Sequence, residues 1–137
     1  MRITHDITDI HELRVARDEL RRACERRSLP ADVTYDLLTC VQEACKNALR
    51  FAGGPRGVHA SIAIGSTEIV ATVRDWGAGL EPGKWRATPP DPYSESGRGL
   101  FLMVELMDRV EVRVDHGTHV RLHKLLPPAH AQPERAA

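Results

Sequence analysis

The sequence predicts an α+β fold, a two-layer α/β sandwich whose mixed, mostly antiparallel sheet carries helices on one face. Three observations lead there. The first 52 residues hold two long segments with apolar residues at helical spacing. Two segments that alternate apolar and polar residues follow, separated by Gly65-Ser66-Thr67. A third, shorter helical pattern then precedes two more alternating segments. Helices and hairpins in this order pack as a sheet covered by a helix layer.

Residues 2–7 read as a short first strand. His11 to Arg27 reads as a helix with Leu13, Ala16, Leu20 and Cys24 along its apolar line and Thr8 or Asp9 near its start. Ser28-Leu29-Pro30 breaks it, since proline cannot continue the hydrogen-bond ladder. Ala31 to Ala52 forms the second helix, with Val33, Leu37, Leu38, Val41, Ala44, Cys45 and Ala48 recurring at helical spacing. Gly53-Gly54-Pro55 stops it. Val58, Ala60, Ile62 and Ile64 alternate with polar or small residues in one strand, and Ile69, Ala71 and Val73 do so in the next. Residues 80–96 are rich in Pro, Gly and Ser, a loop long enough to suggest a functional role. Gly99 to Met107 is helical, with Leu100, Met103, Val104 and Met107 on one side. Val110, Val112 and Val114 make a strand, Asp115-His116-Gly117 a turn, and Thr118 to Leu125 the last strand.

The 137 residues suggest one domain, spanning 1–126, with a polar, Pro/Ala-rich segment at 127–137 that reads as a disordered tail. Nineteen basic and nineteen acidic residues cancel, which argues against generic nucleic-acid binding. No apolar run approaches the roughly 18 residues of a membrane span. The N-terminus lacks the apolar core of a signal peptide. Cys24, Cys40 and Cys45 are odd in number and show no CxxC spacing, which points to free thiols in a reducing cytoplasm and away from zinc.

Three islands carry chemistry. On the second helix, at roughly 100° per residue, Asp36, Cys40, Glu43, Asn47 and Arg50 fall nearly opposite the side centred on Val41, Ala44 and Ala48. Glu43 and Asn47 are i and i+4, hence neighbours. A carboxylate beside an amide oxygen suits a hard, hydrated cation such as Mg²⁺, although any amphipathic helix also shows a polar stripe to water. Asp75 opens Asp75-Trp76-Gly77-Ala78-Gly79. Its carboxylate can accept from an exocyclic amine and the glycines admit a flat ring, although Asp and Gly are also common where strands end. Gly97-Arg98-Gly99-Leu100 enters a helix whose first N–H groups favour phosphate, although a plain hinge reads the same way. The chain has neither a GxGxxG fingerprint in a βαβ unit nor a GxxxxGK[ST] loop, so the common phosphate motifs are excluded.

Taken in order, Gln42-Glu43-Ala44-Cys45-Lys46-Asn47-Ala48, Asp75-Trp76-Gly77-Ala78-Gly79 and Gly97-Arg98-Gly99-Leu100, closed by Gly117-Thr118-His119-Val120, resemble the GHKL ATPases with the Bergerat fold. The likeness covers about residues 1–125 and is greatest to the small stand-alone anti-sigma-factor serine kinases of bacteria. It implies ATP and Mg²⁺ as cofactors. Asn47 would coordinate the metal, Glu43 would be the general base, and Asp75 would accept from the adenine amine beside Gly77 and Gly79. Gly97, Arg98, Gly99 and Leu100 would meet the phosphates, residues 80–96 would form a lid, and Thr118 would lie near the adenine. Arg50 would supply the basic residue that the family often has four positions after the helix Asn, where this chain has Phe51. Glu95 stands where sporulation-type kinases carry an Arg. The implied reaction is phosphoryl transfer to a serine of an anti-sigma-factor antagonist, with a sigma factor as second partner and homodimerisation as a family trait. A nucleotide-dependent binding switch with little catalysis is the alternative. A histidine-kinase-type module ranks third, because no long dimerisation helix with a phosphorylatable His is present.

Overall fold

The structure, a computed structural model, describes residues 1–52, 56–77 and 98–128. In them the chain forms β1 (Arg2–Ile7), α1 (Ile10–Arg26), α2 (Ala31–Ala52), β2 (Val58–Ile64), β3 (Glu68–Asp75), α3 (Arg98–Leu106), β4 (Arg109–Val114) and β5 (Thr118–Leu125). Helix ends differ from the sequence expectation by at most one residue. The expected stop at Gly53-Gly54-Pro55, the loop at 80–96 and most of the tail lie outside the described residues.

Local chemistry explains where α1 begins and ends. The Asp9 carboxylate accepts from the Glu12 amide at 2.8 Å, and the Glu12 carboxylate accepts from the Thr8 amide at 3.1 Å and from the Thr8 hydroxyl. Such reciprocal capping satisfies N–H groups that the helix leaves open and stabilises by about 1 kcal/mol. At the other end Ser28 turns left-handed at φ 52°, and the Leu29 amide bonds back to the Cys24 carbonyl at 3.1 Å.

The five strands run in the order β1-β2-β3-β5-β4, and all four pairings are antiparallel. The chain leaves β3, makes α3 and β4, and returns with β5 beside β3. Every second residue of β2 and β3 is buried, as the alternation predicts. Ile62, Ala71 and Leu122 lie side by side across three strands on this inner face. They join Leu20 of α1, Leu37 of α2 and Met103 of α3 in one core. Full burial of a side chain such as Leu37 or Leu122 stabilises by about 1.5–3 kcal/mol.

One expectation changes. The sequence gives α2 an apolar side and an opposed polar stripe. In the structure most of that stripe is covered too: Cys40 is fully buried, Asp36, Glu43 and Asn47 are half-buried, and Arg50 stays exposed. The cause is α3. Its first turn lies over Asn47, and its last carbonyls reach a lysine paired with Asp36, so α3 runs antiparallel along the stripe.

The β4–β5 turn has a strict steric requirement. Gly117 has φ +119°, and a Cβ there would fall 2.0 Å from the Asp75 carbonyl oxygen. Glycine therefore lets this turn press against the end of β3. Among the described residues, no helix is long and apolar enough to cross a membrane.

Cys24, Cys40 and Cys45 are buried free thiols. Burial pushes Cys40 up to about 12, aided by the nearby Asp36 carboxylate, and burial alone pushes Cys45 up to about 12. A thiol reagent needs the thiolate. Native protein is therefore expected to resist labelling by a chromogenic disulfide from pH 7 to 10, and denaturant should expose all three thiols at once. The ordinary value is 9.0 and the folded one higher, so these two groups leave stability intact below pH 9 and lower it as pH rises further. Rapid labelling of the folded chain would contradict this.

Candidate functional site

The predicted residues assemble into two clusters. The first lies between α2 and α3. Glu43 and Asn47 sit one turn apart on α2, and Gly99 of α3 faces both. A Cβ on Gly99 would stand 2.6 Å from Asn47 Nδ2 and 3.3 Å from Glu43 Oε2. The α3 backbone thus rests against a carboxylate and an amide, and any larger residue at 99 would have to push the Asn47 side chain aside. A cleft of about 730 Å³ opens here, lined by Glu43, Lys46, Asn47, Arg50, Gly99 and Leu102 among others. Leu100 points into the protein and is buried. Lys46 Nζ stands 3.8 Å from Glu43 Oε1, with both side chains partly exposed. Such a pair contributes about 0–1 kcal/mol, which leaves the ammonium able to turn toward another anion.

The second cluster sits at the end of β3. Asp75 is 7% exposed, and its Oδ1 accepts from the Gly77 amide at 3.0 Å and the Thr118 amide at 3.1 Å. A buried carboxylate needs such donors, since unpaired burial of the charge is strongly unfavourable. Gly117 delivers the second donor by holding the β4–β5 turn against β3. The described residues give Oδ1 two donors and Oδ2 none. Beside it the Thr118 side chain is 3% exposed, and its hydroxyl has no hydrogen-bond partner among the described residues. A fixed acceptor next to an unsatisfied hydroxyl is suited to the edge of an aminated heteroaromatic ring, which offers a donor to one and a partner to the other.

Glu43, Asn47 and Gly99 are therefore brought together, with Arg50 on the same cleft. Asp75, Gly77 and Thr118 are brought together separately. Gly79, Gly97 and the side chain of Arg98 lie outside the described residues, as do the side chain of Phe51 and all of Glu95. The sequence reading missed two features. The guanidiniums of Arg56 and Arg74 stand 4.7 and 4.8 Å from the centre of the Trp76 ring, anchoring the residue that follows Asp75. Arg–Trp–Arg proximity has no signature in spacing, because Arg56 comes from the segment before β2. The other missed feature is Lys124, which contacts Asp36 across 88 positions. Among the described residues, no group of three or more His, Cys, Asp or Glu is arranged to hold a metal ion.

Comparison with known proteins identifies the family. Residues 8–124 match the family model described as a histidine kinase-like ATPase domain. A serine-protein kinase RsbW of Bacillus licheniformis is 35% identical over 107 residues, a match covering 69% of this chain and 66% of that protein. A serine-protein kinase RsbW of Halalkalibacterium halodurans is 31% identical over 106 residues, covering 69% of this chain and 64% of its own length. The chain thus spans slightly less than two thirds of these relatives. Among solved structures, the RsbU and RsbW domains of a Mycobacterium tuberculosis protein superpose with TM-score 0.65 at 19% identity, covering 94% of this chain and 33% of that one. The SiaB–SiaC complex of Pseudomonas aeruginosa gives TM-score 0.64 at 13% identity, covering 92% and 89%. At such identities the structures show the fold alone. Antiparallel order, helix layer, paired clusters and a family match over most of the sequence converge: the chain belongs to the histidine kinase-like ATPase domain family.

Proposed function

We propose that the chain binds ATP with Mg²⁺ in the cytoplasm and phosphorylates a serine of an anti-sigma-factor antagonist, and that it also binds a sigma factor. The observation that carries this reading is the meeting of Glu43, Asn47 and Gly99, which places a carboxylate, an amide and a bare helix backbone on one cleft. The likeness to serine-protein kinases at 31–35% identity supports the reaction class.

The nucleotide supplies the transferable phosphoryl group, and Mg²⁺ supplies charge neutralisation at its phosphates. The protein's part is positioning, which dominates catalysis in phosphoryl transfer. Asp75 and Thr118 would hold the adenine edge, with Oδ1 already fixed by two amides. Asn47 has its amide nitrogen against Gly99, which leaves Oδ1 for a hard cation. The first N–H groups of α3 would face phosphate oxygens. Glu43 would take the proton from the attacking serine hydroxyl, and Lys46 and Arg50 add positive charge to the same cleft.

A second reading is a nucleotide-dependent binding switch with weak transfer. Phe51 and Glu95 favour it, since both replace basic residues expected from the family resemblance. Homodimerisation belongs to the same expectation and would be read by sedimentation.

Three outcomes test the proposal. Glu43→Gln is expected to keep nucleotide affinity and lower labelled-phosphate transfer to an antagonist domain by roughly 10²–10⁴, the usual contribution of a general base. Equal transfer by the variant would remove Glu43 from the role, and no transfer by wild type would favour the switch. In Asp75→Asn, Oδ1 still accepts from the Gly77 and Thr118 amides, so the fold survives. The new Nδ2 would oppose the ring amine, and calorimetry should show ADP binding about 10- to 100-fold weaker, or about 1.4–2.8 kcal/mol. Unchanged affinity would refute the adenine assignment. Gly99→Ala adds a methyl group where Asn47 now sits, and at least a tenfold loss of Mg-ATP-analogue binding is expected, about 1.4 kcal/mol. A variant that binds normally would show that this contact is irrelevant to ligand.

A further inference from the structure

Asp36 belongs to the polar stripe of α2, yet it lies about three turns from Asn47 and outside the cleft. Its partner is Lys124 of β5. Lys124 Nζ donates to Asp36 Oδ2 at 3.0 Å and to the Leu106 carbonyl at 2.7 Å, with the two side chains only 15% and 20% exposed. One ammonium thus ties three elements together: the sheet, α2, and the C-terminal end of α3. The placement is favourable for α3 in its own right, because a cation complements the negative end of the helix dipole.

From these contacts we infer that Lys124 is a positioning residue for the phosphate end of the nucleotide site, acting through α3. The inference rests on the nucleotide reading above. Because α3 lies antiparallel on α2, fixing its last turn against Asp36 sets how its first turn meets Asn47 and Glu43. The helix is nine residues long, and a rigid helix carries a shift at its last turn through to its first. Apolar packing of Leu100, Met103 and Met107 holds α3 down but specifies its sliding register poorly, since such contacts are not directional. Asp108 also ties this end to β5, through its amide to the His123 carbonyl at 2.9 Å and through its carboxylate from the Leu125 amide at 2.6 Å. Those bonds fix α3 to the sheet. The link to α2 runs through Lys124.

The site itself separates this role from a merely stabilising one. Asp75 and Thr118 are carried by β3 and β5, so losing the clamp should spare the adenine end. The experiment compares wild type, Lys124→Met, Lys124→Arg and Asp36→Ala in binding adenosine, by NMR titration, and a Mg-bound non-hydrolysable ATP analogue, by calorimetry. Expected is a fall of about tenfold or more in analogue affinity for Lys124→Met and Asp36→Ala, adenosine affinity unchanged, and recovery in Lys124→Arg. The Asn47 side-chain amide resonance should move in the ligand-free variants while the Thr118 amide stays in place. Parallel loss of both ligands, or no loss of either, would overturn the inference. Asp36→Ala removes the acceptor on α2 while Lys124 keeps the Leu106 carbonyl, and so decides the matter if Lys124→Met fails to fold. Wild type that binds neither ligand would instead sink the nucleotide reading on which the inference stands.

Discussion

The close approach of α3 to α2 at Gly99 is the constraint on which the rest of the site depends. A glycine in a helix is unfavourable by up to roughly 1 kcal/mol relative to alanine. Here the missing Cβ is what allows the α3 backbone to lie against Asn47 and Glu43, since an added carbon would stand 2.6 Å from the amide nitrogen. The family resemblance implies one role for Gly97 and Gly99, a backbone released to meet phosphate. At Gly99 the requirement is for space rather than for an unusual backbone angle, because the residue lies inside the first turn of α3. Close packing thus brings the first turn of α3 beside a carboxylate and an amide, and in the proposed reading the same turn would meet phosphate.

The sheet-side cluster meets a similar demand by different means. Asp75 is buried, and a buried carboxylate must be given donors. Two backbone amides supply them, one from the loop that Asp75 opens and one from β5, 43 positions later. The second is available only because β5 returns beside β3 and Gly117 lets the preceding turn touch the Asp75 backbone. The strand order of the sheet is therefore part of the site. A sheet with β4 next to β3 would leave the carboxylate with one fewer donor and a strong drive to expel it.

Local patterns made most of the fold legible. Alternation in 58–64 and 69–73 fixes which residues face the core, and Pro30 and Asp9 mark helix ends that the structure reproduces. What periodicity could not show is what covers a polar helix side. Cys40 shares a stripe with Glu43 and Asn47 and is nevertheless fully buried, because α3 comes from nearly 60 positions downstream to lie over it. The Lys124–Asp36 pair and the two arginines on Trp76 are invisible for the same reason, being products of topology. The first and third islands were readable together, since Glu43, Asn47 and Gly99 do meet, while the Asp75 island forms a separate cluster. Gly79, Gly97 and the side chain of Arg98 lie outside the described residues, and their assignment rests on the family resemblance alone.

The two clusters are built on different layers, and this division has a mechanical consequence. Asp75 and Thr118 belong to strands locked into three antiparallel pairings, whereas Glu43, Asn47 and Gly99 belong to helices whose mutual register depends on side-chain contacts. A ligand that engages only the sheet-side cluster has no reason to favour one helix register over another. One that spans both clusters does, and it can shift the helix layer only by the difference in its affinity for the two registers. The terminal phosphates are the part of a nucleotide that would reach α3. In the proposed reading, any partner surface that includes α2 or α3 would then respond to the number of phosphates bound, while the adenine contact would supply affinity common to both states. A binding switch and a kinase can share this architecture, because both need the helix layer to report which nucleotide is present.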